Sequence, residues 1–193
     1  MKATFIKSSH NLRQCPPESY GEFLFIGRSN VWKSTLINAL TNTKLAKTWA
    51  KPGKTQLINH FLIDDSWYLV DLPGYWYAKK AKSKRSSWDR LFWEYLGERE
   101  NIEYICVLID GSIPIQDIDL EFMNNLADRQ VPFVIVYTKT DKLKSSELKK
   151  LMNAKKTQLL KEREILPPIF ITSSKKKSGL NELIDFLDFE ANR

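Results

Sequence analysis

The chain has few cysteines and lacks any long apolar run. Its two cysteines, Cys15 and Cys106, are too few for a disulfide framework and do not form a metal-binding spacing. No apolar stretch approaches the ~20 residues that a membrane-spanning helix needs. The apolar part of the amino terminus is also too short for a secretory signal. We therefore expect a cytoplasmic protein with no membrane partner.

Glycine and acidic residues are also scarce. The 193 residues include 7 Gly, about half of an average share, and 6 Trp. Asp and Glu number 23 against 30 Lys and Arg, which gives a net charge of +7. The hydrophobic content of 42% excludes wholesale disorder. This length suits one α/β domain, and we expect an N-terminal extension (1–21) that packs on a single domain (22–193).

Apolar strand-like runs alternate with amphipathic helix-like stretches from residue 22 onward. Such alternation favours a mostly parallel sheet, here of six strands, with helices on both faces. Two of the runs are continuously apolar, as is typical of strands buried on both faces. The predicted strands are 22–26, 57–63, 68–72, 104–109, 133–138 and 169–172. The predicted helices are 33–42, 86–99, 117–129, 145–164 and 179–190.

The first predicted strand leads directly into a sequence typical of a phosphate-binding loop, GRSNVWKS at 27–34. The pattern is G-x-x-x-x-G-K-[ST], in which Lys33 would reach the β- and γ-phosphates and the Ser34 hydroxyl would bind Mg²⁺. Trp32 stands where the pattern has its second glycine, at a point where the backbone passes close to phosphate. Taken alone, this loop supports a nucleotide site and its absence about equally.

A second motif, Asp-Leu-Pro-Gly at 71–74, follows the predicted strand 68–72. At the carboxyl end of a strand, Asp71 can hold Mg²⁺ through water while the N–H of Gly74 faces the γ-phosphate. The motif is weak by itself and is informative because it follows a phosphate-binding loop.

A third motif, Thr-Lys-Thr-Asp at 138–141, follows the strand 133–138. The Asp141 carboxylate can accept hydrogen bonds from N1–H and the N2 amino group of guanine, and adenine offers neither donor. The stem of Lys139 could lie along the base. The alternative is that Asp141 is only a helix N-cap.

A fourth motif, Thr-Ser-Ser at 172–174, also ends a strand, and the N–H of Ser174 could reach the guanine O6. All four motifs lie at strand carboxyl ends, where open α/β sheets bind ligands. Together they indicate a GTP-binding protein.

These motifs and their surroundings resemble the EngB-type ribosome-biogenesis GTPases, within the Era-like group. The resemblance covers nearly the whole chain. The residues that carry it are 27–31 with 33–34, KPGKTQ at 51–56 with Ile58, Asn59 and Phe61, DLPGY at 71–75 with 77–79, Trp88, Tyr95 and Leu96, and the motifs at 138–141 and 172–174.

The resemblance implies a three-layer P-loop GTPase domain with two switch segments, residues 53–57 and from Gly74 onward. It implies that Thr55 engages Mg²⁺ and the γ-phosphate, and that Lys33, Thr55 and Gly74 serve hydrolysis. The implied GTP-binding residues are Gly27, Arg28, Ser29, Asn30, Val31, Trp32, Lys33, Ser34, Thr35, Gly53, Lys54, Thr55, Gln56, Leu57, Asp71, Leu72, Pro73, Gly74, Thr138, Lys139, Thr140, Asp141, Thr172, Ser173 and Ser174.

The resemblance also implies association with the large ribosomal subunit or its rRNA, and a link to cell division through ribosome supply. A basic run fits such a partner because phosphate contacts give sequence-independent RNA affinity, although a charge run can equally be a solvated loop. We expect a monomer that binds no DNA. The predicted RNA contacts are Lys79, Lys80, Lys82, Lys84 and Arg85.

Two positions in the switch and phosphate segments bear on the rate of hydrolysis. Many GTPases have a water-orienting Gln after the Asp-x-x-Gly motif, whereas this chain has Tyr75. We therefore predict slow intrinsic hydrolysis, assisted by a partner or a monovalent cation. Asn30 matches the pattern of GTPases that bind K⁺ beside the phosphates, so K⁺ is the expected cation.

Trp32 and Trp76 both stand where the family pattern has glycine. The Trp codons UGG and UGA differ from glycine codons only in the first base, and some bacteria decode UGA as glycine. We hypothesise that both tryptophans are errors of conceptual translation, and that the natural protein has glycine at these two positions. An intact mass of the natural protein that carries Trp at both positions would exclude this.

With genuine tryptophans, an indole at position 32 would crowd the β-phosphate site, and the alternative is an RNA- or ribosome-binding module without nucleotide. A generic ATPase is disfavoured by Asp141.

Overall fold

The computed structural model describes residues 1–28, 30–43, 57–75 and 82–193, except for the side chains of 82–88. Within these ranges the chain forms seven strands and five α-helices. The strands are β1 (Ala3–Ser9), β2 (Glu22–Gly27), β3 (Ile58–Ile63), β4 (Trp67–Asp71), β5 (Ile102–Asp110), β6 (Phe133–Thr138) and β7 (Ile169–Ile171). The helices are α1 (Lys33–Thr41), α2 (Lys82–Glu98), α3 (Asp117–Asp128), α4 (Ser145–Glu162) and α5 (Leu180–Ala191).

All seven strands belong to one sheet, in the order β1-β3-β4-β2-β5-β6-β7. The pairs β1–β3 and β3–β4 are antiparallel, and the remaining pairs are parallel. The predicted α/β fold and its mostly parallel sheet are confirmed, and each of the six predicted strands is present. Because β2 lies between β4 and β5, the strand order reverses at β2, where open α/β sheets form their binding crevice.

The seventh strand, β1, comes from the segment that we expected to be an N-terminal extension. It lies at the edge of the sheet and is mostly exposed or half-buried. Thr, Lys and Ser interrupt its apolar residues, so the sequence lacks the continuous apolar run that marks a buried strand. The pairing of β1 with β3 supports packing of the extension on the domain. The boundary at residue 22 stays a prediction.

The sheet separates two apolar cores, each covered by helices. On one face, Leu36 of α1 and Leu183 of α5 pack with Phe23 and Phe25 of β2. The other core is formed with α2, α3 and α4, and its helical members include Tyr95, Met123 and Leu159. This arrangement is the predicted three-layer one. No helix among the described residues has both the length and the apolarity to span a bilayer.

A buried polar network fixes β2 at its amino end. The Glu22 carboxylate accepts hydrogen bonds from the Tyr95 hydroxyl (2.7 Å) and the Arg99 guanidinium, while Arg99 Nη2 also donates to the carbonyl of Pro16. Burial raises the pKa of Glu22, but hydrogen bonds from His60, Arg99 and Tyr95 outweigh burial and hold this pKa below its usual value. The network therefore joins α2, β2 and the N-terminal segment at the amino end of β2, whereas the phosphate-binding loop follows its carboxyl end.

Candidate functional site

The phosphate-binding loop runs from the end of β2 to the start of α1. A Cβ at Gly27 would lie 2.7 Å from the carbonyl oxygen of Leu108, so only glycine fits there. The Thr138 hydroxyl donates to the carbonyl of Val31 (2.8 Å), which joins this loop to the end of β6. Backbone N–H groups at the start of a helix such as α1 attract anions. Of the loop residues around them, Asn30 and Thr35 are exposed and Ser34 is half-buried.

Trp32 has a backbone conformation that favours glycine. Its φ of 61° and ψ of 36° are left-handed, a conformation that costs an L-residue roughly 1–2 kcal/mol. This agrees with the expectation that position 32 suits glycine. The indole is 42% exposed, and its ring centroid lies 5.1 Å from Nζ of Lys139 and 5.2 Å from Nζ of Lys142. The ring therefore lies beside the segment that was predicted to recognise guanine.

Lys33 and Asp71 form an ion pair between the start of α1 and the end of β4. The strand places Asp71 there because Leu72 N–H donates to the carbonyl of Phe25 on β2 (3.1 Å). Burial lowers the pKa of the Lys33 ammonium to about 7. Negative charge from Asp71 or from a phosphate favours the charged form of Lys33.

Oxygen ligands that suit Mg²⁺ are present beside this ion pair. Ser34 supplies a hydroxyl next to Lys33, and Asp71 supplies a carboxylate, the hard donors that Mg²⁺ prefers. Among the described residues, no group of three or more His, Cys, Asp or Glu side chains could hold a metal by itself.

The Asp-x-x-Gly segment lies against the phosphate-binding loop. A Cβ on Gly74 would lie 2.4 Å from the carbonyl oxygen of Gly27, so the two backbones are in close contact. Leu72 is buried and Pro73 is half-buried. Leu57, the described residue of the predicted first switch, is half-buried just before β3.

The predicted guanine-recognition loop follows β6 and is bound to its neighbours by side chains. Asp141 Oδ1 accepts a hydrogen bond from the Ser173 hydroxyl (2.6 Å), and the Thr140 hydroxyl donates to the carbonyl of Thr172 (2.9 Å). Ser174 is half-buried beside them. Asp141 lies inside a short 3₁₀ helix whose N-cap is Lys139, and the N-cap of α4 is Lys144. The alternative role of Asp141 as an N-cap is therefore wrong.

Asp110, at the end of β5, was not singled out from the sequence. Its Oδ2 pairs with Nζ of Lys139 (2.8 Å), and its carbonyl accepts a hydrogen bond from Nζ of Lys155 (3.0 Å). Burial raises the pKa of Asp110, but hydrogen bonds from Lys139 and Ser112 outweigh burial and hold this pKa below its usual value. A usable signal existed, because Asp110 ends an apolar strand just as Asp71 does. Asp119 on α3 was missed as well, and its spacing in the sequence gives no such signal.

Several predicted residues lie outside the described part of the chain. Lys82, Lys84 and Arg85 belong to α2, but their side chains are outside the description. The others are Ser29, Gly53, Lys54, Thr55, Gln56, Trp76, Lys79 and Lys80.

Comparison with known proteins agrees with this arrangement. A family model described as 50S ribosome-binding GTPase matches residues 22–139. The chain is 54% identical over 188 residues to the "Probable GTP-binding protein EngB" of Porphyromonas gingivalis, covering 97% of this chain and 94% of that protein. The chain belongs to the EngB family. A second EngB relative, from Bacteroides thetaiotaomicron, is 48% identical over 187 residues, covering 96% of this chain and 93% of the relative.

Solved structures show the same fold. The crystal structure of a probable GTP-binding protein engB has a TM-score of 0.69 at 23% identity, covering 89% of this chain and 99% of that one. Era, solved in complex with MgGDPNP and nucleotides 1506-1542 of 16S ribosomal RNA, has a TM-score of 0.65 at 25% identity. That match covers 86% of this chain and 55% of Era. The P-loop GTPase fold that the resemblance implied is therefore confirmed.

Proposed function

We propose that the chain binds GTP and GDP with Mg²⁺, hydrolyses GTP slowly, and acts in the cytoplasm as an assembly factor for the large ribosomal subunit. The contact between Asp141 and Ser173 carries the proposal, because it joins two predicted guanine-binding motifs that are 32 residues apart in sequence. Membership of the EngB family supports the same function.

Recognition of guanine is assigned to Asp141, with Lys139 beside it. The Ser173 hydroxyl donates to one carboxylate oxygen of Asp141 and holds it in place, which leaves acceptor capacity for the two guanine donors. Adenine would leave that capacity unpaired, and such a loss makes a site selective. The Asp110 carboxylate fixes the Lys139 ammonium, so the stem of Lys139 is positioned before the base arrives.

Binding of the phosphates is assigned to Lys33 and to the first N–H groups of α1. When bound, Mg²⁺ would neutralise phosphate charge. The oxygen donors assigned to it are Ser34 and Thr55 and, through water, Asp71. When GTP binds, the Lys33 ammonium group would leave the Asp71 carboxylate and contact the β- and γ-phosphates instead. The Gly74 backbone, in contact with Gly27, supplies an N–H on the γ-phosphate side.

Slow hydrolysis follows from Tyr75. Its hydroxyl donates to Asp119 (2.7 Å) and its ring is buried, so it does not take the water-orienting role that Gln has in other GTPases. The missing stabilisation would come from the ribosomal partner or from K⁺ near Asn30. Equal hydrolysis rates in K⁺ and Na⁺ would reject the role of K⁺.

Association with the ribosomal subunit is supported by the net charge of +7 and by the family model. Lysine and arginine side chains that neutralise rRNA phosphates give affinity without sequence readout. The basic run at 79–85 remains the predicted contact. Co-sedimentation of the chain with separated large and small subunits, in GDP and in a GTP analogue, tests the association with the large subunit. Equal pelleting with both subunits would contradict the proposal.

The nucleotide assignment is tested by displacement of a fluorescent GDP analogue. We expect GTP and GDP to compete, and ATP to compete at least about 100-fold more weakly, because adenine leaves Asp141 unpaired. Equal competition by ATP would contradict guanine recognition.

A second candidate, an RNA- or ribosome-binding module without nucleotide, is favoured by Trp32. Nζ of Lys139 and Nζ of Lys142 each lie over its indole ring, beside the predicted base-binding loop. Subunit binding that is unaffected by saturating GDP or GTP, in a chain that binds neither, would favour this candidate.

A further inference from the structure

One carboxylate on α3 receives hydrogen bonds from both phosphate-side segments. Asp119 is completely buried, and its Oδ1 accepts from Nε of Arg28 (2.8 Å) and from the hydroxyl of Tyr75 (2.7 Å). Its Oδ2 accepts from the N–H of Gln116 (3.3 Å). Arg28 follows Gly27 in the phosphate-binding loop, and Tyr75 follows Gly74 in the second switch. The same side chain therefore links both segments to α3.

Tyr75 is held on α3 by its ring as well as by its hydroxyl. The ring stacks on Phe122 with centroids 4.3 Å apart and planes 13° apart. Burial and the nearby Asp119 carboxylate raise the pKa of Tyr75 well above its usual value, so the hydroxyl stays protonated and donates. Two separate contacts on one helix thus fix the residue that follows Gly74.

The position of Gly74 depends on this attachment. Its backbone lies so close to the phosphate-binding loop that a Cβ would be 2.4 Å from the carbonyl oxygen of Gly27 and 3.5 Å from the carbonyl carbon of Arg28. Residues 74 and 75 are adjacent, so holding Tyr75 on α3 restricts where the Gly74 N–H can lie. That N–H is the group that the proposed function places on the γ-phosphate side.

We propose that Asp119 is a positioning residue that, through Arg28 and Tyr75, holds Gly74 against the phosphate-binding loop and thereby raises the affinity for GTP relative to the affinity for GDP. We call these three residues the Asp119 latch. The proposal rests on the proposed function, because it concerns the γ-phosphate of the same site.

A packing role alone does not account for the chemistry of the latch. A buried carboxylate and guanidinium lose hydration, and apolar side chains of similar size often stabilise a fold as well or better. The latch instead joins three elements whose relative positions matter when a γ-phosphate is present or absent. Arg28 is 21% exposed, at the side of the phosphate-binding loop, whereas Asp119 is not exposed at all.

The test compares Tyr75→Phe and Asp119→Asn with a matched control, Tyr137→Phe. The control removes a buried hydroxyl that has no hydrogen-bond partner among the described residues. Affinities for GDP and for a non-hydrolysable GTP analogue are measured for each protein, in the chain itself and in a Trp32→Gly background. We expect the ratio of GTP-analogue affinity to GDP affinity to fall at least about fivefold in both latch variants, while the control keeps the ratio of the unchanged chain.

Hydrogen–deuterium exchange without nucleotide gives an independent readout. We expect faster exchange at residues 72–75 in both latch variants and no change in Tyr137→Phe. An unchanged ratio of the two affinities in both latch variants would overturn the proposal, even with faster exchange. Failure of every protein, control included, to bind either nucleotide would reject the proposed function. If exchange at residues 72–75 were also unchanged in that case, the role of the latch would be overturned as well.

Discussion

The two ends of the candidate site differ in how their side chains are paired. At the guanine end, the loops after β6 and β7 bind each other through Asp141 and Ser173, and Lys139 is fixed by Asp110. At the phosphate end, Lys33 and Asp71, the groups assigned to phosphate and to Mg²⁺, are paired with each other. On the proposed function, the guanine end would be arranged for its ligand, whereas the phosphate end would have to exchange one contact for another.

Trp32 belongs to the phosphate-binding loop, but its side chain lies beside the other end of the site. Its backbone has the conformation of a glycine, and its indole lies over the ammonium groups of Lys139 and Lys142. We expected an indole at this position to crowd the β-phosphate. In the structure the ring lies beside Lys139 and Lys142, in the predicted guanine-recognition loop. On the proposed function, a nucleotide that spans both ends would meet the indole.

The largest effect is expected at the guanine end, for Asp141→Asn. The amide cannot accept both guanine donors, and its NH₂ group opposes the guanine amino group, so GTP affinity should fall about 1,000-fold or more. Xanthosine triphosphate, which has an oxygen in place of that amino group, should bind the variant better than GTP does. The control is Asp185→Asn, at an exposed position on α5. Unchanged GTP affinity in Asp141→Asn would place guanine recognition elsewhere.

A smaller effect that is confined to the phosphate end is expected for Lys33→Met. Loss of the charge-assisted contacts to the β- and γ-phosphates should lower GTP affinity about 100-fold. GMP, which lacks those phosphates, should be affected much less. Displacement titrations with GTP and GMP measure both, with Lys150→Met at an exposed position of α4 as the control. An equal loss for GTP and GMP would mean that the two ends are not separable.

A third prediction concerns the free energy of unfolding rather than nucleotide affinity, at a lysine that contacts the guanine end. Lys155 is buried and donates to the Asp110 carbonyl, and burial lowers the pKa of its ammonium from 10.5 to about 8. Between these pH values the unfolded chain binds the additional proton, so the free energy of unfolding should rise with pH. We expect the wild type to gain stability relative to Lys155→Met across this window, by at most about 1.4 kcal/mol per pH unit.

Chemical denaturation at a series of pH values measures this gain. The exposed neighbour, in Lys156→Met, provides the control and should run parallel to the wild type. A stability difference between wild type and Lys155→Met that stays constant from pH 8 to 10.5 would show that Lys155 does not titrate in this window.

The parts of the site that could be predicted from the sequence lie within short segments at strand ends. Asp71 and Asp141 were recognisable because each follows an apolar run and sits in a motif whose chemistry is local. Asp119 was not, since its partner Arg28 is 91 residues away and only the fold brings them together. Likewise Lys155 looked like one more charge on a solvated helix, and its burial depends on how α4 packs on the sheet.

Titration of GDP and GTP into the chain, its Trp32→Gly variant and the Trp32→Gly, Trp76→Gly double variant tests the central claim most directly. The claim is that the guanine end is ready for its ligand and that the indole at position 32 limits binding. We predict at least tenfold tighter binding of both nucleotides when Trp32 is replaced. Equal affinity in all three proteins would contradict the claim and would mean that the phosphate-binding loop accepts an indole at its glycine position.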